Sequence, residues 1–136
     1  MMKIITWNIR GLNDRSKQRI LRDCIKAESP DILMLQEMKC AGMEAETIFQ
    51  RIWKGCNYIQ TDSSRASWGL AILWNPNHTI LSGPFSTIGT LSAHFEIIGS
   101  NQEGTITNVY EPQGQQEKIK FMERLTRVKS LATTPN

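Results

Sequence analysis

The sequence predicts an α/β fold made of one mixed sheet backed by a helix layer, and three observations carry that prediction. Apolar runs and helical stripes alternate as βαβα across residues 3–53. Short strand candidates separated by Gly, Pro, Asn and Ser then fill the middle of the chain. An amphipathic stretch follows them. With 136 residues, 40% of them hydrophobic and 21% charged, the chain suits one globular domain with a real core and is too short for two.

Lys3 to Ile9 is short and rich in β-branched residues, and reads as a buried strand. Gly11, Asn13 and Asp14 mark the loop after it. From Arg15 to Glu28, Ile20, Leu21, Cys24 and Ile25 form a helical stripe, with Asp14 or Ser16 as N-cap and Pro30 as the stop. Asp31 to Gln36 is a second apolar strand, and Gly42 to Trp53 returns to helical spacing through Ile48, Phe49 and Ile52. This order favours parallel pairing of the first two strands. Tyr58–Thr61, Gly69–Trp74, Thr79–Leu81, Leu91–Ile98 and Thr105–Tyr110 are the later strand candidates. Turn residues at Asn75-Pro76-Asn77 and Ser100-Asn101 predict hairpins and an antiparallel region. Gln115 to Leu131 is amphipathic through Ile119, Met122, Leu125 and Val128. No internal repeat, low-complexity tract or linker interrupts this order.

Sixteen basic and 13 acidic side chains leave a net charge of +3, which permits contact with a polyanion without indicating one. Cys24, Cys40 and Cys56 are odd in number and widely spaced, which argues against a zinc site or a disulfide framework and for reduced thiols. No apolar segment has the length of a signal peptide or membrane span, so the expectation is a soluble, intracellular protein, nuclear or cytoplasmic, without membrane contact.

The chemistry-bearing candidates lie at strand ends. Asn8 and Glu37 close the two strands expected to be parallel neighbours, and open α/β sheets bind ligands at that edge. A carboxylate there suits Mg²⁺, which commonly takes one or two protein carboxylates and completes its shell with water and substrate phosphate. Asn8 beside it could orient a water or serve as a second ligand. Tyr110 ends another strand and could donate to a phosphate oxygen. Lys39, two residues past Glu37 on one face of an extended segment, could neutralise phosphate charge. Taken singly, each also fits a bland role: a turn cap, a solvated strand-end charge, an edge tyrosine, an exposed lysine.

Three strings together resemble a known family. Residues 6–13 (TWNIRGLN), 31–39 (DILMLQEMK) and 107–114 (TNVYEPQG) occur in the order and approximate spacing of the endonuclease/exonuclease/phosphatase superfamily. The wording is most similar to the endonuclease domains of plant non-LTR retrotransposons, and Ser67-Trp68-Gly69-Leu70-Ala71-Ile72-Leu73-Trp74 resembles a strand of that branch. The resemblance implies Mg²⁺-dependent phosphodiester hydrolysis with DNA as ancestral substrate. It makes Glu37 the metal-binding glutamate, Asn8 a catalytic organiser and second metal ligand, and Tyr110 the phosphate-contacting tyrosine. Lys39 and Arg10 become phosphate or DNA contacts. Arg10 stands where apurinic-site enzymes carry aspartate, which favours the retrotransposon branch. Glu111 places a negative charge where the family prefers a small or apolar residue.

The same resemblance implies that much is missing. The family continues with Gly-Asp-Phe-Asn and a late Asp-His pair, whereas this sequence has no aspartate after Asp62, and neither His78 nor His94 follows one. The expectation is therefore a truncated domain over residues 1–136, the N-terminal half of a four-layer α/β sandwich, holding Mg²⁺ weakly at best and inactive by itself. One sheet face would lack a partner, which predicts self-association or docking of a complementary chain. The competing expectation is a non-catalytic interaction module or inert fragment pairing with another chain.

Overall fold

The first strand, β1 (Ile4–Asn8), pairs in parallel with β2 (Ile32–Gln36), Ile4 opposite Ile32 and Asn8 opposite Gln36. The computed structural model describes residues 2–61 and 69–110. Expectations about Glu111, the 115–131 helix, Asp62, Ser67 and Trp68 lie outside the described residues.

Between these strands runs α1 (Arg15–Glu28). Asp14 is its N-cap, with Oδ1 accepting from the Ser16 N–H at 2.8 Å and the Lys17 N–H at 3.3 Å. Ser29, in the left-handed region at φ 46°, closes the far end by donating its N–H to Ile25 O, and Pro30 follows. The buried stripe is Gln18, Leu21 and Ile25. Ile20, expected on that stripe, is 59% exposed: at 100° per residue it turns away from Leu21. α2 (Gly42–Ile52) buries Ala45, Ile48, Phe49 and Ile52.

Two further strands, β3 (Asn57–Gln60) and β4 (Ala71–Trp74), complete a mixed sheet of order β1-β2-β4-β3, with β4 antiparallel to both neighbours. β2 and β4 are central and almost wholly buried, as their unbroken apolar sequences require. β1 was expected to be buried, but it is an edge strand, and Ile4, Thr6 and Asn8 are exposed.

β5 (Thr79–Thr87), β6 (Thr90–Ile97) and β7 (Glu103–Val109) form a second, antiparallel sheet. The turn at Ser100-Asn101 closes the β6–β7 hairpin as expected. The one at Asn75-Pro76-Asn77 makes no hairpin. Both sides of β4 are already taken, by β2 and β3, so the next strand cannot form a hairpin with it and joins the second sheet. β5 instead pairs with β6 through the short Ile88-Gly89 connection, which was not anticipated. β5 also runs six residues past its expected end at Leu81, to Thr87. Gly83-Pro84 masked that continuation; the register shifts there, between Ser82 and Phe85, and an edge strand tolerates a missing N–H.

One core lies between the helices and the four-stranded sheet, around Leu21, Ile25, Leu33, Leu35, Phe49 and Leu73. A second lies between the sheets, where Ile32, Leu70, Ile72 and Trp74 meet Leu91 and Ile106. The α/β class with a mixed sheet and a helix layer is therefore as expected, but the inner face of that sheet is not bare. The chain supplies its own second sheet, and exposure on this side concentrates on β1. No helix of the described residues is long and apolar enough to cross a membrane.

Candidate active site

Beyond the ends of β1 and β2 the two loops stay zipped together. Ile9 N–H donates to Gln36 O at 3.0 Å, Gly11 to Glu37 O at 2.8 Å and Leu12 to Met38 O at 2.8 Å. Met38 in turn donates to Gly69 O at 3.1 Å, and its side chain is buried in the helix-side core. This ladder fixes Arg10 and Glu37 next to each other. It does so with strain: Arg10, Glu37 and Lys39 have φ of 50°, 52° and 57°, a region that non-glycine residues seldom occupy.

The strain corrects one expectation. With Glu37 and Lys39 both left-handed, the 37–39 segment is not extended, and the argument placing them on one face lapses. Lys39 is exposed.

The Glu37 side chain is only 14% exposed, and its Oε2 is buried without accepting a hydrogen bond. Among the described residues its ion-pair partner is Arg10, whose Nε lies 3.5 Å from Oε2: an ion pair, but not a hydrogen bond. Arg10 itself is 66% exposed, so the guanidinium side of the pair faces solvent. A buried carboxylate oxygen with unused lone pairs is costly unless a cation takes them up. This fits a hard divalent ion with oxygen ligands. Asn8, opposite Gln36 at the end of β1, is exposed and hydrogen-bonds to no described side chain, so its amide is available at the same edge.

A buried amide network absent from the sequence reading lies between Gln36 on the first sheet and Asn108, two residues before Tyr110. Asn108 on β7 is fully buried; its Nδ2 donates to Leu35 O at 2.9 Å and Ala71 O at 2.8 Å. Its Oδ1 accepts from Gln36 Nε2 at 2.7 Å, and the same Nε2 also donates to Thr6 Oγ1 at 2.8 Å. The network stitches the second sheet to β1, β2 and β4. Glu37 stands one residue past Gln36, and Tyr110 two past Asn108. The Tyr110 N–H donates to Gly89 O at 2.8 Å, and its ring packs on the inter-sheet core. A signal existed in the alternation of β7, where Asn108 falls on the same side as the core residue Ile106.

The histidines lie elsewhere. His78 Nδ1 is 3.4 Å from Asp31 Oδ1, and His94 Nε2 is 3.8 Å from both Glu96 Oε1 and Glu103 Oε2 on the second sheet. All three cysteines are free. Burial raises the Cys40 and Cys56 thiols to about 11, which makes them inert core groups.

The sequence profile described as the Endonuclease/Exonuclease/phosphatase family matches residues 5–116. The DNA repair nuclease APEX1 of Danio rerio is 52% identical over 40 residues, 29% of this chain and 13% of that protein. A mannosyl-6-phosphatase of Bacteroides thetaiotaomicron superimposes with TM-score 0.76 at 13% identity, covering 100% of this chain and 62% of its own. TDP2 of D. rerio, solved with a single-strand DNA product, superimposes with TM-score 0.70 at 15% identity, covering 98% and 56%. The chain thus spans less than two thirds of the length of each of these proteins.

Proposed function

The chain belongs to the Endonuclease/Exonuclease/phosphatase family, and on that premise we propose that the Asn8–Glu37 edge is the metal- and phosphate-binding part of a Mg²⁺-dependent DNA endonuclease site of retrotransposon origin. The observation that carries this reading is the Glu37 Oε2 atom, buried, without a hydrogen bond and, among the described residues, ion-paired with Arg10 at the carboxyl edge of a parallel strand pair. The TDP2 structure with a DNA product supports nucleic acid as the substrate class.

Bound there, Mg²⁺ would supply charge neutralisation to a phosphate. Glu37 would hold the ion, with the Asn8 amide as second ligand or orienter of a water. Arg10, ion-paired with Glu37 and 66% exposed, would offer its guanidinium to a phosphate oxygen beside that ion. Tyr110 donates from the other sheet, and Lys39 adds positive charge at the rim. Residues 1–136 act as the leading part of the domain. No Asp-x-Asn or Asp-His motif is present to activate water or stabilise the pentavalent centre, so this chain alone binds without turning over. Another chain docking along the exposed β1 edge would be the way to complete the site.

Titrating the 136-residue chain with Mn²⁺ as a paramagnetic stand-in should reveal one weak site that Glu37→Gln removes; equal binding by the variant refutes the metal assignment. Supercoiled plasmid incubated with the chain and Mg²⁺ should remain uncut. Nicking that vanishes in Glu37→Ala would overturn the claim of inactivity.

A further inference from the structure

We propose that the groove between α1 and α2 is a second anion site, built for a compact ligand carrying two or more closely spaced phosphate groups. A cavity of about 260 Å³ opens there, lined by Arg15, Gln18, Arg19, Arg22, Arg51 and Ile52. Four of the six lining residues are arginines and none is acidic. No described residue forms an ion pair with any of the four guanidiniums.

The clustering follows from helix geometry. Arg15, Arg19 and Arg22 are spaced by four and three residues, so they share one face of α1. Arg51, in the last turn of α2, completes the ring from the other wall. Its Nη1 donates to Gln18 Oε1 at 3.1 Å, and Gln18, 5% exposed, is anchored in turn by Nε2 donating to Leu12 O at 2.8 Å. A buried amide thus holds Arg51 from behind and leaves its remaining N–H groups for the cavity.

Like charges at helical neighbour spacing weaken a helix, and bringing a fourth from α2 adds to the repulsion. A bound anion adds an attraction to each guanidinium that offsets this repulsion. Guanidinium forks match phosphate oxygens in pairs, where lysine would offer only a point charge. Taken alone, this cavity falls below the roughly 300 Å³ at which pockets for drug-sized molecules begin, room for one compact group. A second cavity of about 330 Å³ shares Arg15, Gln18 and Arg51 and is lined further by Asn13, Glu44, Thr47 and Ile48. That arrangement suits a short row of phosphates better than a single one. Free oligophosphate and the phosphates of a nucleic-acid strand share this chemistry.

The test is calorimetric titration of the 136-residue chain with sodium tripolyphosphate and, separately, with a single-stranded oligothymidylate. Wild type should bind tripolyphosphate saturably, one per chain. Arg19→Gln/Arg22→Gln, two exposed changes whose fold is checked by circular dichroism, should weaken it by roughly tenfold or more. Lys3→Gln, an exposed change at a residue that lines neither cavity, should leave it unchanged. Oligothymidylate binding that falls in parallel in the double variant names nucleic acid as the source; tripolyphosphate binding alone names the free anion. Absence of saturation, equal binding by the double variant, or a loss confined to Lys3→Gln overturns the proposal. A failed Glu37 metal titration leaves this result untouched, because the two sites share no residue.

Discussion

An amide buried as deeply as Asn108 is tolerated only while its hydrogen-bonding capacity is used, and here both ends are engaged. Asn108→Ala would remove three hydrogen bonds, leave the Gln36 amide short of an acceptor and open a void. The expected cost is about 2–4 kcal/mol, read as a fall in the urea midpoint at unchanged slope. A change within about 0.5 kcal/mol would mean the network is not structural. Glu37 presents the opposite case: a buried oxygen whose capacity is unused, held by a left-handed backbone that glycine would adopt more easily. Locally unfavourable choices of this kind concentrate where function sets the residue, and Arg10 and Lys39 share the same backbone strain.

Among the elements, β1 and α1 do most to place the site. The β1–β2 pair sets Asn8 opposite Gln36, and the loop that leaves it ends at the Asp14 cap. Asp14 satisfies two of the free N–H groups of the first helical turn, so Asp14→Ala should cost about 1 kcal/mol, visible as a lower thermal midpoint. Asp14→Asn or Asp14→Ser should recover most of it, because the cap needs an acceptor more than a charge. A midpoint unchanged in Asp14→Ala would show that another group takes over the cap. At the other end of the sheet, β4 is the element that divides the chain into two layers. Once β2 and β3 occupy its two sides, the strand after Trp74 cannot pair with β4, and β5 goes to the second sheet.

For the whole molecule, the helix-side core contains two thiols that report on global opening. Burial raises Cys40 and Cys56 from 9.0 to about 11, with Glu44 adding to the shift at Cys40. A thiol whose folded pKa lies above its unfolded value favours folding while protonated. That contribution is whole below about pH 9 and is lost as pH rises toward about 11, so stability should decline across that alkaline window. At pH 8, Ellman's reagent should label the half-buried Cys24 first, and Cys40 and Cys56 only at the rate of unfolding. Equal labelling of all three would indicate a loosely packed core. The second sheet also changes what the molecule presents to others. With Leu91 and Ile106 packed on the inner face, a docking partner would meet the β1 edge and Ile4 rather than a broad apolar surface.

Periodicity alone made β1, α1, β2, α2, β6 and β7 legible, because side-chain direction repeats every 2 or 3.6 residues whatever the rest of the chain does. The three motif strings that name the family are likewise properties of the chain, and so are Asn8, Glu37 and Tyr110 as candidates. Several features depended on contacts between residues far apart. Among them are the insertion of β4 between β2 and β3, the full length of β5 across Gly83-Pro84, and the edge position of β1. The bond from Asn108 to Leu35, 73 residues away, and the four arginines meeting across two helices belong with them. Local pattern chooses each element and its buried face. Which elements then become neighbours is decided by the competition for backbone hydrogen bonds and apolar contact among all of them, and no single segment carries that information.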